Sequence, residues 1–192
     1  AHISHTNGST QSTASKTATN RVMCVSYGEE PRVAEDPCLA ATPATGSLCA
    51  DGSVYAGVVD GRRIYTSTAD IGVTRRINSV TTAIPGTTSL TDGKANTDAM
   101  VGANMEAANA CRALGAKWYL PALNELQVLR NVTSGTLSLS QTISSSTWYW
   151  SSTQSSTTNN HTAYLSSASN STASRTTANR VRCVYSNVTA GF

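Results

Sequence analysis

Residues Ser12 to Val25 read STASKTATNRVMCV, and residues Ser171 to Val184 read STASRTTANRVRCV. The two stretches match without a gap at an offset of 159 residues, with identity at 10 of 14 positions. A hydroxyl-rich chain produces some Ser and Thr matches by chance, but not Asn-Arg-Val-x-Cys-Val in register. The alternation from Arg180 to Tyr185 predicts a half-buried strand, as does Arg21 to Val25. The chain therefore begins with a copy of the last strands of its own domain. Two readings follow. Residues 1–27 are the tail of a tandem neighbour, or they are an N-terminal β arm that pairs with another subunit's sheet and propagates a filament. Strand addition at a sheet edge is a route to such assembly. Both readings place the domain in a repeating, extracellular object.

Composition narrows the class. At 192 residues the chain suits one domain, or one domain plus an arm. Ser and Thr supply 54 residues, and only 13% are charged, about half the usual share of roughly 25%. That excludes a coiled coil. A net charge of +3 argues against charge-driven disorder and promises no basic patch for nucleic acid. No run of 18 apolar residues exists, so no membrane span is expected. The chain starts at Ala1 with no charged-then-apolar leader, so either a leader was removed or this is a piece of something longer. Five cysteines include no C-x-x-C pair, which disfavours a zinc knuckle or thioredoxin-like motif. Low charge, abundant hydroxyls and scattered cysteines predict an exported protein of an oxidising compartment. Asn7, Asn131, Asn160, Asn170 and Asn187 each fit the N-glycosylation acceptor, which makes a surface glycoprotein one expectation.

Residues 28–50, with Pro31, Pro37 and Pro43, are expected to be a linker. Cys38 and Cys49 could staple a short loop in it. That leaves Cys111 for Cys183, and Cys24 over. In a tandem array Cys24 would pair with the preceding copy's equivalent of Cys111; in an arm it would bond between subunits or stay unpaired. Residues 51–192 form the main domain. Val54 to Tyr65 predicts a hairpin around Asp60-Gly61. Residues 71–98 show little periodicity and are expected to be mostly loop. Ala103 to Leu114 predicts a helix with Met105, Ala108, Cys111 and Leu114 on one face, ended by Gly115. Trp118-Tyr119-Leu120 predicts a short strand, and Pro121 opens a second helix to about Arg130. Trp148 to Trp150 and Ala163 to Leu165 predict further strands.

Five motifs in order carry a resemblance. They are Asp51-Gly52-Ser53-Val54-Tyr55-Ala56-Gly57, Thr91-Asp92-Gly93-Lys94-Ala95-Asn96-Thr97, Trp118-Tyr119-Leu120-Pro121 with Asn124-Glu125-Leu126, Tyr149-Trp150-Ser151-Ser152-Thr153, and Val181-Arg182-Cys183-Val184. From about Asp51 to Tyr185 the chain resembles the bacterial domain at the C-terminus of collagen-like adhesins. That family is related to formylglycine-generating-enzyme and C-type-lectin-like folds. The resemblance implies an α+β fold with two helices and a twisted antiparallel sheet, displayed on cell surfaces, phage fibres or pili. It also implies that the Trp-x-Leu-Pro and Tyr-Trp-Ser-Ser motifs pack the core rather than stack sugars.

Several chemistries can be weighed. Glu125 could be a catalytic acid or metal ligand, but beside Asn124 on a helix it better suits hydrogen bonds within the fold. A lectin-type calcium site needs clustered oxygens, and no acidic residue follows Glu125. The same stretch carries Arg130, Arg175, Arg180 and Arg182, which suit either an anionic glycan or a solvated strand face. Gln154 to His161, with Asn170 and Ser171, is expected to be exposed loop at the end of the sheet where lectin-like folds bind ligands. Gln154, Asn159, Asn160, His161, Asn170 and Arg175 are thus the candidate ligand residues. His2, His5 and His161 make no triad that sequence can argue, and no phosphate loop follows a strand. The expectation is a non-enzymatic surface subunit without metal or cofactor, whose partner is a further copy of itself. A module binding a glycan or a host-surface protein through residues 154–161 is the alternative.

Overall fold

The computed structural model describes residues 2–6, 10–14, 36–78, 82–133, 147–165, 167 and 169–188. The chain divides into two compact units, Ala1–Ala34 and Glu35–Phe192. In the first, β1 (His2–Thr6) and β2 (Thr10–Ala14) form an antiparallel hairpin, with His2 opposite Ala14 and Thr6 opposite Thr10. Cys24, Asn7, the rest of the arm to Tyr27 and the start of the expected linker lie outside the described residues.

The second unit is α+β. Its first sheet has the order β3-β4-β8, from β3 (Val54–Val59), β4 (Arg62–Thr66) and β8 (Val184–Val188). Its second has the order β5-β6-β7, from β5 (Trp148–Gln154), β6 (Asn159–Tyr164) and β7 (Asn170–Ser174). All pairings are antiparallel. The β3–β4 hairpin turns at Asp60 (φ 50) and Gly61 (φ 71). Two consecutive positive φ values are what a tight two-residue turn between twisted strands requires.

Among the described residues, four α-helices lie between β4 and β5: α1 (Gly93–Gly102), α2 (Glu106–Arg112), α3 (Leu123–Val128) and α4 (Arg130–Thr133). Helix α1 corrects the expected loop over its span. Its buried residues are Gly93, Asn96, Thr97 and Met100, at i, i+3, i+4 and i+7. The helical period is present, but polar side chains carry it, so apolar patterning misses it. The expected helix from Ala103 is correspondingly shorter. Ala103 and Asn104 (φ 56) close α1, and Met105, Ala108 and Cys111 are buried as predicted, while Leu114 is exposed. Leu123, Leu126 and Leu129 are buried on the second expected helix, which breaks into α3 and α4. Trp118 to Leu120 is extended only to the extent of a two-way bridge between Tyr119 and Val184.

The repeated segment departs most from its prediction. Arg180 to Tyr185 does not alternate, since Val181 to Tyr185 are all buried. Asn179 bridges to Arg75, in the segment after β4, and Arg180 bridges to Tyr149 on β5. Residues 181–183 then cross from the second sheet to the first. The Val181 carbonyl accepts from Ile71 N, and the Cys183 carbonyl accepts from Ser67 N. Only from Val184 does the chain join the first sheet.

Two apolar clusters result. One packs α3 and α4 on the first sheet, through Leu126, Leu129, Val132, Ile64 and Tyr65. The other gathers α1, α2, Trp150, Ile77 and Val181 around Cys111 and Cys183. Trp118 packs against both. Disulfides join Cys38 to Cys49 and Cys111 to Cys183. No helix among the described residues is long and apolar enough to cross a membrane.

Candidate functional site

The motif residues form a polar lattice inside the second unit. Asp92 caps α1 by accepting from Ala95 N at 2.9 Å. Glu125 is fully buried. Its Oε2 accepts from Gly93 N (3.1 Å) and Ala122 N (2.9 Å), and its Oε1 accepts from the Tyr119 hydroxyl (3.0 Å). A Cβ on Gly93 would fall under 3.0 Å from Glu125 Oε2, Ala122 N and Leu120 O, so only glycine fits there. Thr97 Oγ1 donates to Leu120 O and accepts from Leu120 N. Asn96 donates to Ser89 O and Ser152 Oγ. Thr153 Oγ1 accepts from Leu123 N and donates to Ser89 O. The buried hydroxyls thus satisfy backbone groups that no sheet or helix ladder reaches. Burial pushes the Glu125 carboxyl up to about 7, against the opposing pull of the Ala122 and Tyr119 hydrogen bonds and of Arg62 at 3.9 Å. Its partners are all internal, which is a structural arrangement.

Lys117 and Asp51 mark one end of the first sheet. Lys117 Nζ lies 2.7 Å from Asp51 and 4.0 Å over the Tyr185 ring. Tyr185 stacks on Tyr65 and receives the edge of Trp118. Burial pushes the Asp51 carboxyl up, but hydrogen bonds from Lys117, Ser53 and Tyr185 outweigh it and hold it well below the usual range. Of the aromatic residues weighed for sugar stacking, Tyr119, Tyr149 and Trp150 are buried, and Trp118 and Trp148 are half-buried.

The basic residues after Glu125 do not form an exposed face. Arg182 is 0% exposed and pairs with Asp70 at 2.9 Å. Arg180 reaches the same carboxylate at 3.1 Å, and the Tyr149 hydroxyl donates to it at 2.9 Å. Arg175 is 1% exposed, bound to Asn160 Oδ1 and Thr82 O. Burial lowers the guanidinium pKa of both Arg175 and Arg182.

The expected ligand loop is mostly a hairpin. Residues 155–158 are its exposed turn, while Gln154 ends β5 and Asn159 to His161 begin β6. Gln154 Oε1 accepts from Ile84 N and Thr87 Oγ1. Asn160 is 1% exposed, its amide nitrogen donating to Ser151 O and its oxygen holding Arg175. Asn160 and Arg175 are therefore buried and bonded within the fold, whereas Gln154 is half-buried with its Oε1 engaged. Asn160 also cannot carry a glycan in the folded chain, because its acceptor nitrogen is enclosed. Asn159 and His161 are half-buried, and burial lowers the His161 pKa. Asn170 lies on strand β7 rather than in a loop, and is exposed. Among the remaining acceptors, Asn131 on α4 and Asn187 on β8 are exposed.

An open cleft of about 570 Å³ lies between β3 and α3–α4, lined by Val58, Val59, Asn124, Gln127, Val128, Arg130 and Asn131. Among the described residues that line it, Arg130 is the one ionisable group. Asp36, Cys38 and Cys49 come together as a metal-ligating set would. The two sulfurs are joined, however, and Asp36 accepts from Cys38 N.

The remaining feature is the N-terminal hairpin. Moved by the 159-residue offset of the repeat, β1 falls on residues 161–165 and β2 on 169–173. These are the later part of β6 and nearly all of β7, with His2 on His161. A hairpin thus stands where a hairpin stands in the domain, its pairing one residue out of step: His2 is opposite Ala14, whereas His161 is opposite Thr172. Sequence comparison alone missed β1, because His2 to Thr6 and His161 to Leu165 share little except the histidine. No protein-family model matches this chain, and no curated protein matches it.

Proposed function

We propose that the chain is a non-enzymatic extracellular subunit that assembles with copies of itself through residues 1–27. The observation that carries this reading is the N-terminal hairpin, which falls on the β6–β7 hairpin when moved by the offset of the repeated sequence, with its pairing shifted by one residue, and belongs to a unit of its own. A two-stranded hairpin is marginal in water by itself and gains stability by joining a sheet. Two disulfides and the hydroxyl-rich composition support an oxidising, extracellular setting. The order of the five motifs supports membership of the collagen-like adhesin C-terminal domains and a C-type-lectin-like arrangement of the α+β unit. The internal hydrogen bonding of Glu125, Asn160 and Arg175 supports a structural rather than a catalytic or ligand-binding role for them. The test compares the full chain with a variant lacking residues 1–27 by light scattering after size-exclusion chromatography. Assembly is expected to collapse to monomer in the variant; equal assembly in both would overturn the reading.

A further inference from the structure

The assembly reading does not say where a second copy's hairpin lands, and the sheet edges differ in what they offer. The outer edge of β3 is occupied at its start by the preceding loop: Tyr55 N donates to Ser47 O, and Gly46 N to Tyr55 O. The edge of β8 is held at its start by Tyr119, which exchanges both backbone bonds with Val184. The edge of β5 is occupied along its length, since Trp150 N donates to Arg180 O, Ser152 N to Pro121 O and Gln154 N to Thr87 O. Strand β7 is open at consecutive outward positions in its middle rather than only toward one end. It pairs with β6 on one side, and among the described residues no backbone group bonds its other side within Asn170 to Thr172.

The register says which groups are on offer. Arg175 N donates to Thr158 O, and Tyr164 N to Ser169 O, so positions 169, 171, 173 and 175 face β6. In an antiparallel ladder the alternate residues then point outward. Asn170 and Thr172 each turn a backbone N–H and C=O outward, the Thr172 carbonyl accepting from Ser171 Oγ at 3.5 Å, and Ser174 presents its N–H, its carbonyl being taken by Thr177 N. The strand reads Asn-Ser-Thr-Ala-Ser and is exposed at four of its five residues. It carries no charge, no proline and no bulge, which are the devices that natural sheets use to keep an edge from pairing.

We infer that the outer edge of β7 is the acceptor for the β1–β2 hairpin of a second copy, which extends the β5-β6-β7 sheet across the subunit boundary. This rests on the assembly reading above. The occupant follows from the repeat: β2 carries the same Ser-Thr-Ala run as β7, so this strand of the hairpin shares the small, hydroxylated, uncharged character of the edge. An antiparallel addition places Thr and Ser against Thr and Ser, a favourable cross-strand combination.

Thr172→Pro tests it. Proline at this position removes an outward N–H and leaves the ladder to β6 complete, which is how proline is tolerated on edge strands. The full chain, Thr172→Pro and the variant lacking residues 1–27 are compared by light scattering, with circular dichroism melting as the check on folding. The expected result is that Thr172→Pro melts within a few degrees of the full chain yet loses assembly at least tenfold, as the deletion does. Loss of assembly on deletion but not in folded Thr172→Pro would overturn the acceptor edge while leaving the arm's role standing. Loss in Thr172→Pro but not on deletion would mean that β7 edges pair with each other, which overturns the stated occupant. Assembly of both variants, or of none of the three, would overturn the edge and the assembly reading together. Should Thr172→Pro fail to fold, amide exchange at Asn170 and Thr172 decides: protection in the full chain that disappears on deletion supports the edge, and equal exchange overturns it.

Discussion

Glu125 takes an unusual position for a carboxylate, enclosed with four donors around it. Burial is the larger effect and raises its pKa from the ordinary 4.5 to about 7. Between those values the folded chain holds a proton that the unfolded chain has released. Stability therefore falls as pH rises through that window and levels off above about 7. Asp51 and Asp98 act in the opposite direction. Burial raises both, but their hydrogen bonds and cationic partners prevail and lower them, so their stabilisation is lost as pH falls below the ordinary 3.8. Thermal melting across pH is expected to peak near pH 4 to 5. Glu125→Gln, which keeps a neutral oxygen toward Gly93 and Ala122, should flatten the limb above pH 4.5; a flat limb in the wild type would contradict this account of Glu125. Asp70 offers a second test at this scale. Asp70→Asn strands the fully buried Arg182 and should cost about 3 to 5 kcal/mol in urea unfolding. Arg182→Met should cost much less, because a buried charge and its need for a partner leave together. Met23 already stands at the matching position of the repeat.

Disulfides and helices meet at the scale of elements. Cys111 on α2 is tied to Cys183 on the segment that crosses between the two sheets. Its loop closes 72 residues against 11 for Cys38 and Cys49. Loop-closure entropy then assigns about 4 kcal/mol to the first and about 3 to the second. Replacing Cys111 and Cys183 together by Ala is therefore expected to destabilise more than replacing Cys38 and Cys49, as read from denaturant midpoints; the reverse order would contradict it. Which elements sequence can reveal follows from what each one buries. The β3–β4 hairpin was legible because Asp60-Gly61 is a local signal between apolar strands. The leucines of α3 were legible for the same reason. Helix α1 was not, since it buries Asn96 and Thr97 against Ser89, Ser152 and Leu120, partners 7 to 56 residues away. Arg182 was misread as outward because its partner, Asp70, lies 112 residues back. Asn160 and Arg175 looked like loop ligands for a like reason: only the folded sheet brings them together.

At the scale of the whole molecule, the repeat is the feature that was legible from both ends of the account. Sequence located it over 14 residues, and the β1–β2 hairpin, moved by the same offset, falls on β6–β7 with its pairing one residue out of step. What sequence did not reveal is the accepting edge, because an open edge is an absence of partners and depends on where every other strand goes. The central claim is that this chain joins copies of itself through its N-terminal residues. Negative-stain electron microscopy of the purified, non-reduced chain tests it most directly. Filaments or linear arrays are the predicted result, and uniform single particles across concentrations would contradict it.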